Sequence, residues 1–221
     1  MNLKEKIYEV EFCSYIDEYA ENAWDVSLGS DGSVKAWTNK IGDGNYKLFI
    51  GADGGINGEY ATAGLFSNYT NLVSVNFGEA FHTDYAIDMT DMFKNCRSLV
   101  AIDFTGLKTT WVTSMSGMME NCISLRTIIF PDDFSTISVT TMHSMFDCCQ
   151  KVQKIDISMF VTDNVKDMST MFYRCLALEE LNFKNCTLSD NTNTEKIFAE
   201  CEKLRSVLAD DKIIELSKKR K

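Results

Sequence analysis

Few residues in this chain are placed to do chemistry. Only two histidines occur, His82 and His143, and nothing in the sequence sets either beside a serine, cysteine or carboxylate that stands apart from a repeating pattern, so no general acid–base or nucleophilic set is legible. His143 falls between Met142 and Ser144, where other copies of the pattern read Ser116 and Ser169, as an exposed substitution would. Together with Cys148 and Cys149 it could be drawn as a metal site, but there is no CxxC pair and Cys149 belongs to a repeated core position. The glycine-rich run GADGGING at 51–58 carries neither a GxGxxG spacing nor a lysine–hydroxyl pair and precedes no strong helix former, which argues against a phosphate cradle. The expectation is no catalytic residue, no cofactor and no metal.

The eight cysteines lead back to the elements that must hold them. Five, Cys96, Cys122, Cys149, Cys175 and Cys201, share one position of a repeat that reads MFKNCRSLVAIDF at 92–104, MMENCISLRTIIF at 118–130, MFDCCQKVQKIDI at 145–157 and MFYRCLALEELNF at 171–183. Weaker copies flank these, LFSNYTNLVSVNF at 65–77 and IFAECEKLRSVLA at 197–209. Phe66, Phe93, Met119, Phe146, Phe172 and Phe198 are separated by 27, 26, 27, 26 and 26 residues. Such a period means one small unit stacked on its copies, with the cysteines forming a column of buried, reduced thiols rather than disulfides.

Within the unit, Leu99, Ile102 and Phe104 suit a short strand entered by a turn, and the Met89/Met92 spacing of three, repeated at Met115/Met118, Met142/Met145 and Met168/Met171, suits a single helical turn. The methionine stripe, being in register with the repeat, is core rather than a soft-metal box. The fold expected is an α/β repeat, a leucine-rich-repeat solenoid of about six coils with a short helical turn plus a short strand in each. Residues 1–23 would form an N-terminal helical cap, with Ser14 capping a helix over 15–22. Residues 24–62 would add a β-hairpin about the turn at 29–32 and a strand at 46–51; 63–209 form the repeats; 210–221 give a closing helix and a basic tail, acids leading and bases trailing.

Units of the form M-F-x-x-C-x-x-L-x-x-I-D-F, with linkers such as FVTDNVKDMSTMF at 160–172, resemble the BspA-like leucine-rich-repeat family of bacterial surface proteins, and WDVSLGSDGSVKAW resembles the segment that often precedes that family's repeats. The resemblance implies a solenoid that works by binding, commonly as an adhesin or surface receptor, with relatives in phages. That family usually carries an export signal. Here the opening MNLKEKIYEVEF has no apolar core, and nowhere do eighteen apolar residues run together, so the expectation is a chain that stays where it is made, cytoplasmic or particle-associated, with no membrane insertion.

With 45% hydrophobic and 24% charged residues the 221-residue chain has the composition of one elongated globular domain, and a net charge of -10 argues against nucleic-acid or anionic-membrane partners. What remains to carry function is surface. The residues between the core positions of successive strands line up as columns, and the middle copies offer Asp103, Arg126, Ile129, Lys154, Asp156, Glu180 and Asn182 as a partner-binding face with an apolar centre and a polar rim. The expected function is non-enzymatic binding of a protein or glycan. A structural subunit of a larger assembly such as a phage particle is the alternative, self-association through open strand edges is possible, and the hairpin around Trp24 and Trp37 is the other candidate surface.

Overall fold

The structure, a computed structural model, describes residues 3–27, 30–58 and 62–219; Gly29 of the expected hairpin turn and the last two residues of the basic tail lie outside them. After a 3-10 turn at Leu3–Lys6, the alternating run IYEVEFC becomes β1 (Ile7–Cys13), followed by β2 (Trp24–Asp25), β3 (Lys35–Gly42), β4 (Asn45–Gly51) and β5 (Ile56–Asn57). The pairs β2–β3 and β3–β4 are antiparallel, so both hairpin segments expected of residues 24–50 are present. Trp37 lies in the interior of this sheet, 2% exposed and stacked on Phe49 at 5.5 Å. It is a core residue and presents no surface.

The helix expected over 15–22 is absent. The stretch makes isolated turns instead, with Ala20 N–H donating to Asp17 and Ala23 N–H to Ala20. The cause is tertiary. Ala52 and Gly54 N–H donate to the carbonyls of Cys13 and Ser14, and the backbone of Gly51 approaches the Tyr15 carbonyl so closely that a Cβ would sit 2.1 Å from it. These contacts hold residues 13–15 along the loop and leave Ser14 unable to open a helix.

From residue 62 the 26-residue units stack. Each contributes one three-residue strand: β6 (Ser74–Asn76), then β8 (Ala101–Asp103), β9 (Thr127–Ile129), β10 (Lys154–Asp156), β11 (Glu180–Asn182) and β12 (Ser206–Leu208), all parallel where paired. A further short strand, β7 (Phe81–His82), pairs with β5. β1 lies parallel to β6 in the position of a preceding unit's strand, joining the N-terminal sheet to the stack.

A helix-plus-strand leucine-rich-repeat solenoid is nevertheless not what the chain builds. Among the described residues the only α-helix is α1 (Asp211–Lys218), outside the repeats and capped by Asp210 accepting from Ile213 N–H, and the short strands fall into four separate sheets. The Met-x-x-Met segment fails to become helical because two residues in every unit have positive φ: Asp91, Gly117, Ser144, Thr170 and Lys196 in one column, Asn95, Asn121, Cys148, Arg174 and Glu200 in the next. No right-handed helix passes through such residues. The backbone divides its hydrogen bonds accordingly. Met89, Asp91, Phe93 and Asn95 N–H donate outward to Ser114, Ser116, Met118 and Glu120 of the next unit, while Met92, Lys94, Cys96 and Leu99 N–H turn back to residues three earlier. Each unit is therefore a run of tight turns tied to its neighbour.

The sheets break at the two 27-residue steps, from β6 to β8 and from β9 to β10. In each, the connector after the strand holds one residue more: Phe77 to Thr83 and Phe130 to Thr136 span six positions, whereas Phe104 to Thr109 and Ile157 to Thr162 span five. Where the count is normal, the residue after the strand donates to the next strand's last carbonyl, Phe104 to Ile129, Ile157 to Asn182 and Phe183 to Leu208. The extra residue, within 78–80 or 131–133, removes that bond, and the ladder stops.

Inside, Met89, Met92, Met115, Met118, Met142, Met145, Met168 and Met171 are fully buried beside stacked phenylalanines, Phe66 on Phe93 at 5.2 Å and Phe146 on Phe172 at 5.4 Å. Each such side chain contributes roughly 1.5–3 kcal/mol by its burial.

Candidate partner-binding site

The strand columns place the seven expected residues on one side of the stack but on two sheets, with Asp103, Arg126 and Ile129 at β8–β9 and Lys154, Asp156, Glu180 and Asn182 on β10–β11. Alternation puts Ile102, Ile155 and Leu181 in the core and their neighbours outside. The last four line a shallow depression of about 250 Å³.

Most of the polar members are already engaged. Lys154 pairs with Glu180 at 2.8 Å, and Asn182 Nδ2 donates to Asp156 at 2.9 Å. Asp103, Asp156 and Asn182 also accept from the N–H two residues on, Thr105, Ser158 and Lys184, as does Asn76 from Gly78. This Asx turn closes β6, β8, β10 and β11, so the Asp/Asn members of the column have a local backbone role. Partial burial pushes the Asp156 carboxyl up, but hydrogen bonds from Ser158 and Asn182 outweigh it and hold the group below the usual carboxylate range.

Arg126 and Ile129 differ. Both are exposed, Ile129 by 46%, and among the described residues the Arg126 side chain makes no ion pair. Both lie on the β9 side of the break between β9 and β10, where Ile128, unlike Ile102 and Ile155, is only half-buried. The seam thus joins an unpaired cation to exposed aliphatic surface.

The chemistry-bearing residues resolve into ladders. Each column thiol donates to the carbonyl of the preceding unit's aromatic position, Cys96 to Phe66 at 3.0 Å, Cys122 to Phe93 at 3.2 Å, Cys175 to Phe146 at 3.2 Å and Cys201 to Phe172 at 2.9 Å, and Cys149 donates to Met119 at 3.3 Å. All eight cysteines are unbridged, seven of them buried. Burial pushes the Cys96 thiol up to about 12 and those of Cys122, Cys149 and Cys175 well above the ordinary range, so none is a nucleophile.

His143 has closer company than its sequence neighbours imply: Nδ1 lies 2.9 Å from Ser169 Oγ, which donates to Asp167, and Nε2 lies 3.3 Å from Ser144 Oγ. The chain of groups outlines a charge relay, but Ser144 is 5% exposed and its hydroxyl is shared with Thr170 at 2.7 Å. Hydroxyl pairs between units occur also in the neighbouring columns, at Thr90–Ser114 and Ser116–Thr141. His82 Nε2 donates to the Gly54 carbonyl, pinning the loop beside β5. Among the described residues no group of three or more His, Cys, Asp or Glu could hold a metal, and no helix is long and apolar enough to cross a membrane.

A second ladder went unread in the sequence. Thr83, Thr109, Thr136 and Thr162 are buried, and each hydroxyl both donates to a carbonyl and accepts from an N–H of the next unit: Thr109 to Ser135 O at 2.7 Å and from Ser135 N at 2.8 Å, Thr136 to Val161 O at 2.9 Å and from Val161 N at 2.7 Å. Thr83 does the same with Lys108 and Thr162 with Thr187. A threonine six or seven residues after the end of four successive strands, β6, β8, β9 and β10, was the available signal.

The molecule is thus of the class of strand-and-turn repeat proteins whose units are hydrogen-bonded to one another. A family model described as Mycoplasma protein of unknown function, DUF285, matches residues 79–210, more than half of the chain, and the chain belongs to that family. The match is to this family and not to the BspA-like leucine-rich-repeat family that the repeat resembles, which together with the missing repeat helices corrects that assignment. No curated protein matches the chain.

Proposed function

We propose that this protein is a non-enzymatic interaction module that binds a macromolecular partner, protein or glycan, through its strand face. The reading rests on the seam between β9 and β10, where Arg126 and Ile129 stand exposed and unengaged on a backbone held on both sides by the turn ladders, while neighbouring charges are mutually paired. An aliphatic centre with a cation beside it and paired charges around it has the composition of a modest interface, displayed on a rigid support. Replacing Ile129 by Asp and Arg126 by Glu together is expected to weaken partner capture from host extract at least about tenfold, roughly 1.4 kcal/mol, with the melting temperature little changed because both side chains are exposed. Full capture by the folded double variant would exclude this face.

A further inference from the structure

A different edge of the stack carries exposed aromatic surface. Ala86, Val112 and Val139 N–H donate to Thr83, Thr109 and Thr136, so Tyr85, Trp111 and Ser138 occupy the same place in three successive connectors. Tyr85 is 62% and Trp111 59% exposed. Two residues on, Ile87 is 58% exposed and its carbonyl accepts from Thr113 N–H in the next unit; Ile137, 52% exposed, adjoins Ser138, whose hydroxyl donates to Thr110. These contacts place the four side chains on one edge across three units at the spacing of a β-ladder, about 4.8 Å per step. Isolated exposed apolar residues are ordinary; a contiguous group rich in Tyr and Trp marks an interaction surface. Farther along the same columns Asn164, Lys166 and Asp190 take over, so the apolar stretch is local.

Its charge surroundings select the partner. In the column that contains Ile137 the other units place Asp84, Thr110 and Asp163, and Asp84 makes no ion pair among the described residues. Of the cations alongside, Lys108 is held by Asp133, and Lys166 stands one unit beyond Ile137, at the end of the edge away from Tyr85 and Trp111. Exposed rings with Asp84 beside them and, among the described residues, no unpaired positive charge in their own connectors complement a cation carried next to apolar side chains, gaining both Coulombic and cation–π attraction. We infer that the Tyr85–Trp111 edge docks a polypeptide segment in which Lys or Arg alternates with aliphatic residues. This is a second surface, independent of the strand face.

The test uses the full chain with Trp24 replaced by Phe, so that Trp111 and the buried Trp37 are the emitters, titrated with a short synthetic peptide alternating Lys and Leu and with its Glu–Leu counterpart. The Lys peptide is expected to shift Trp111 emission to the blue and saturate, the Glu peptide to leave it unmoved. Tyr85→Ala with Trp111→Ala, read by calorimetry, should weaken the Lys peptide at least about tenfold, and Asp84→Asn with added salt should weaken it further, whereas the Arg126/Ile129 variant should bind it normally. The proposal is overturned by absence of binding, by equal binding of both peptides, by an unchanged affinity in the folded double alanine variant, or by light scattering that shows the edge already occupied by a second copy.

Discussion

Replacing Thr109 by Val would keep side-chain volume and remove one hydroxyl, and the threonine ladder makes the consequence calculable. Thr109 is fully buried, and its hydroxyl both donates to and accepts from the backbone of Ser135, the least exposed of the four rungs' partners. Two hydrogen bonds of about 1 kcal/mol each are lost, and an N–H and a C=O in a partly buried place are left without a partner at about 1–3 kcal/mol each where water cannot reach. Ser135 is only half-buried, so water recovers part of this and the expected loss is about 2–3 kcal/mol. Thr109→Ser keeps both bonds and deletes one methyl, at about 1 kcal/mol. Urea titration followed by circular dichroism should show the midpoint falling in the order wild type, Thr109→Ser, Thr109→Val with the slope unchanged. A Thr109→Val protein within about 0.5 kcal/mol of wild type, or less damaged than Thr109→Ser, would refute a hydrogen-bonding role for the column.

Thiol counting in denaturant should give eight groups and the native protein should react first at Cys148, the one cysteine not buried; a denatured count of four or fewer would mean disulfides. Cys122→Ser should cost only about 1 kcal/mol, because the hydroxyl inherits the Phe93 carbonyl as acceptor. Cys148 has φ 59 and continues the column in which Asn121 Nδ2 donates to Asn95 and Asn95 Nδ2 to Asn68, so Cys148→Asn should extend the amide ladder and stabilise by about 0.5–1 kcal/mol; a lower melting point would contradict this. Asp147 has its carboxyl pushed up by burial, with hydrogen bonds from Cys148 and Ser144 opposing and Glu120 adding repulsion, and its Oδ1 has no hydrogen-bond partner among the described residues. Because the folded pKa is the higher, the folded chain takes up this proton first, so Asp147→Asn should be the more stable protein at neutral pH and the gap should close as pH falls through that raised value toward the ordinary carboxylate range. A gap that widens on acidification would reverse the assignment.

The repeat period, the reduced cysteine column, the methionine core, the strand positions and the closing helix after Asp210 were all legible in the residues, because burial imposes an apolar type at fixed intervals and that leaves a periodic trace. The Arg126–Ile129 pair was legible as surface for the same reason, lying between core positions of a strand. The absence of helix in the repeat was not. A spacing of three between methionines is shared by a helix and by a run of tight turns, and the difference lies in the positive φ at Asp91 or Asn95, imposed when alternate N–H groups find carbonyls one unit away rather than four residues back. Likewise the role of Asp156 and Asn182 in closing strands, the engagement of Lys154 by Glu180 and the seam at the two longer steps depend on which groups become neighbours after stacking. Composition and period determine that units stack and which side chains go inside. The partners of the polar groups are decided across the 26-residue step, by contacts that no local window of sequence contains.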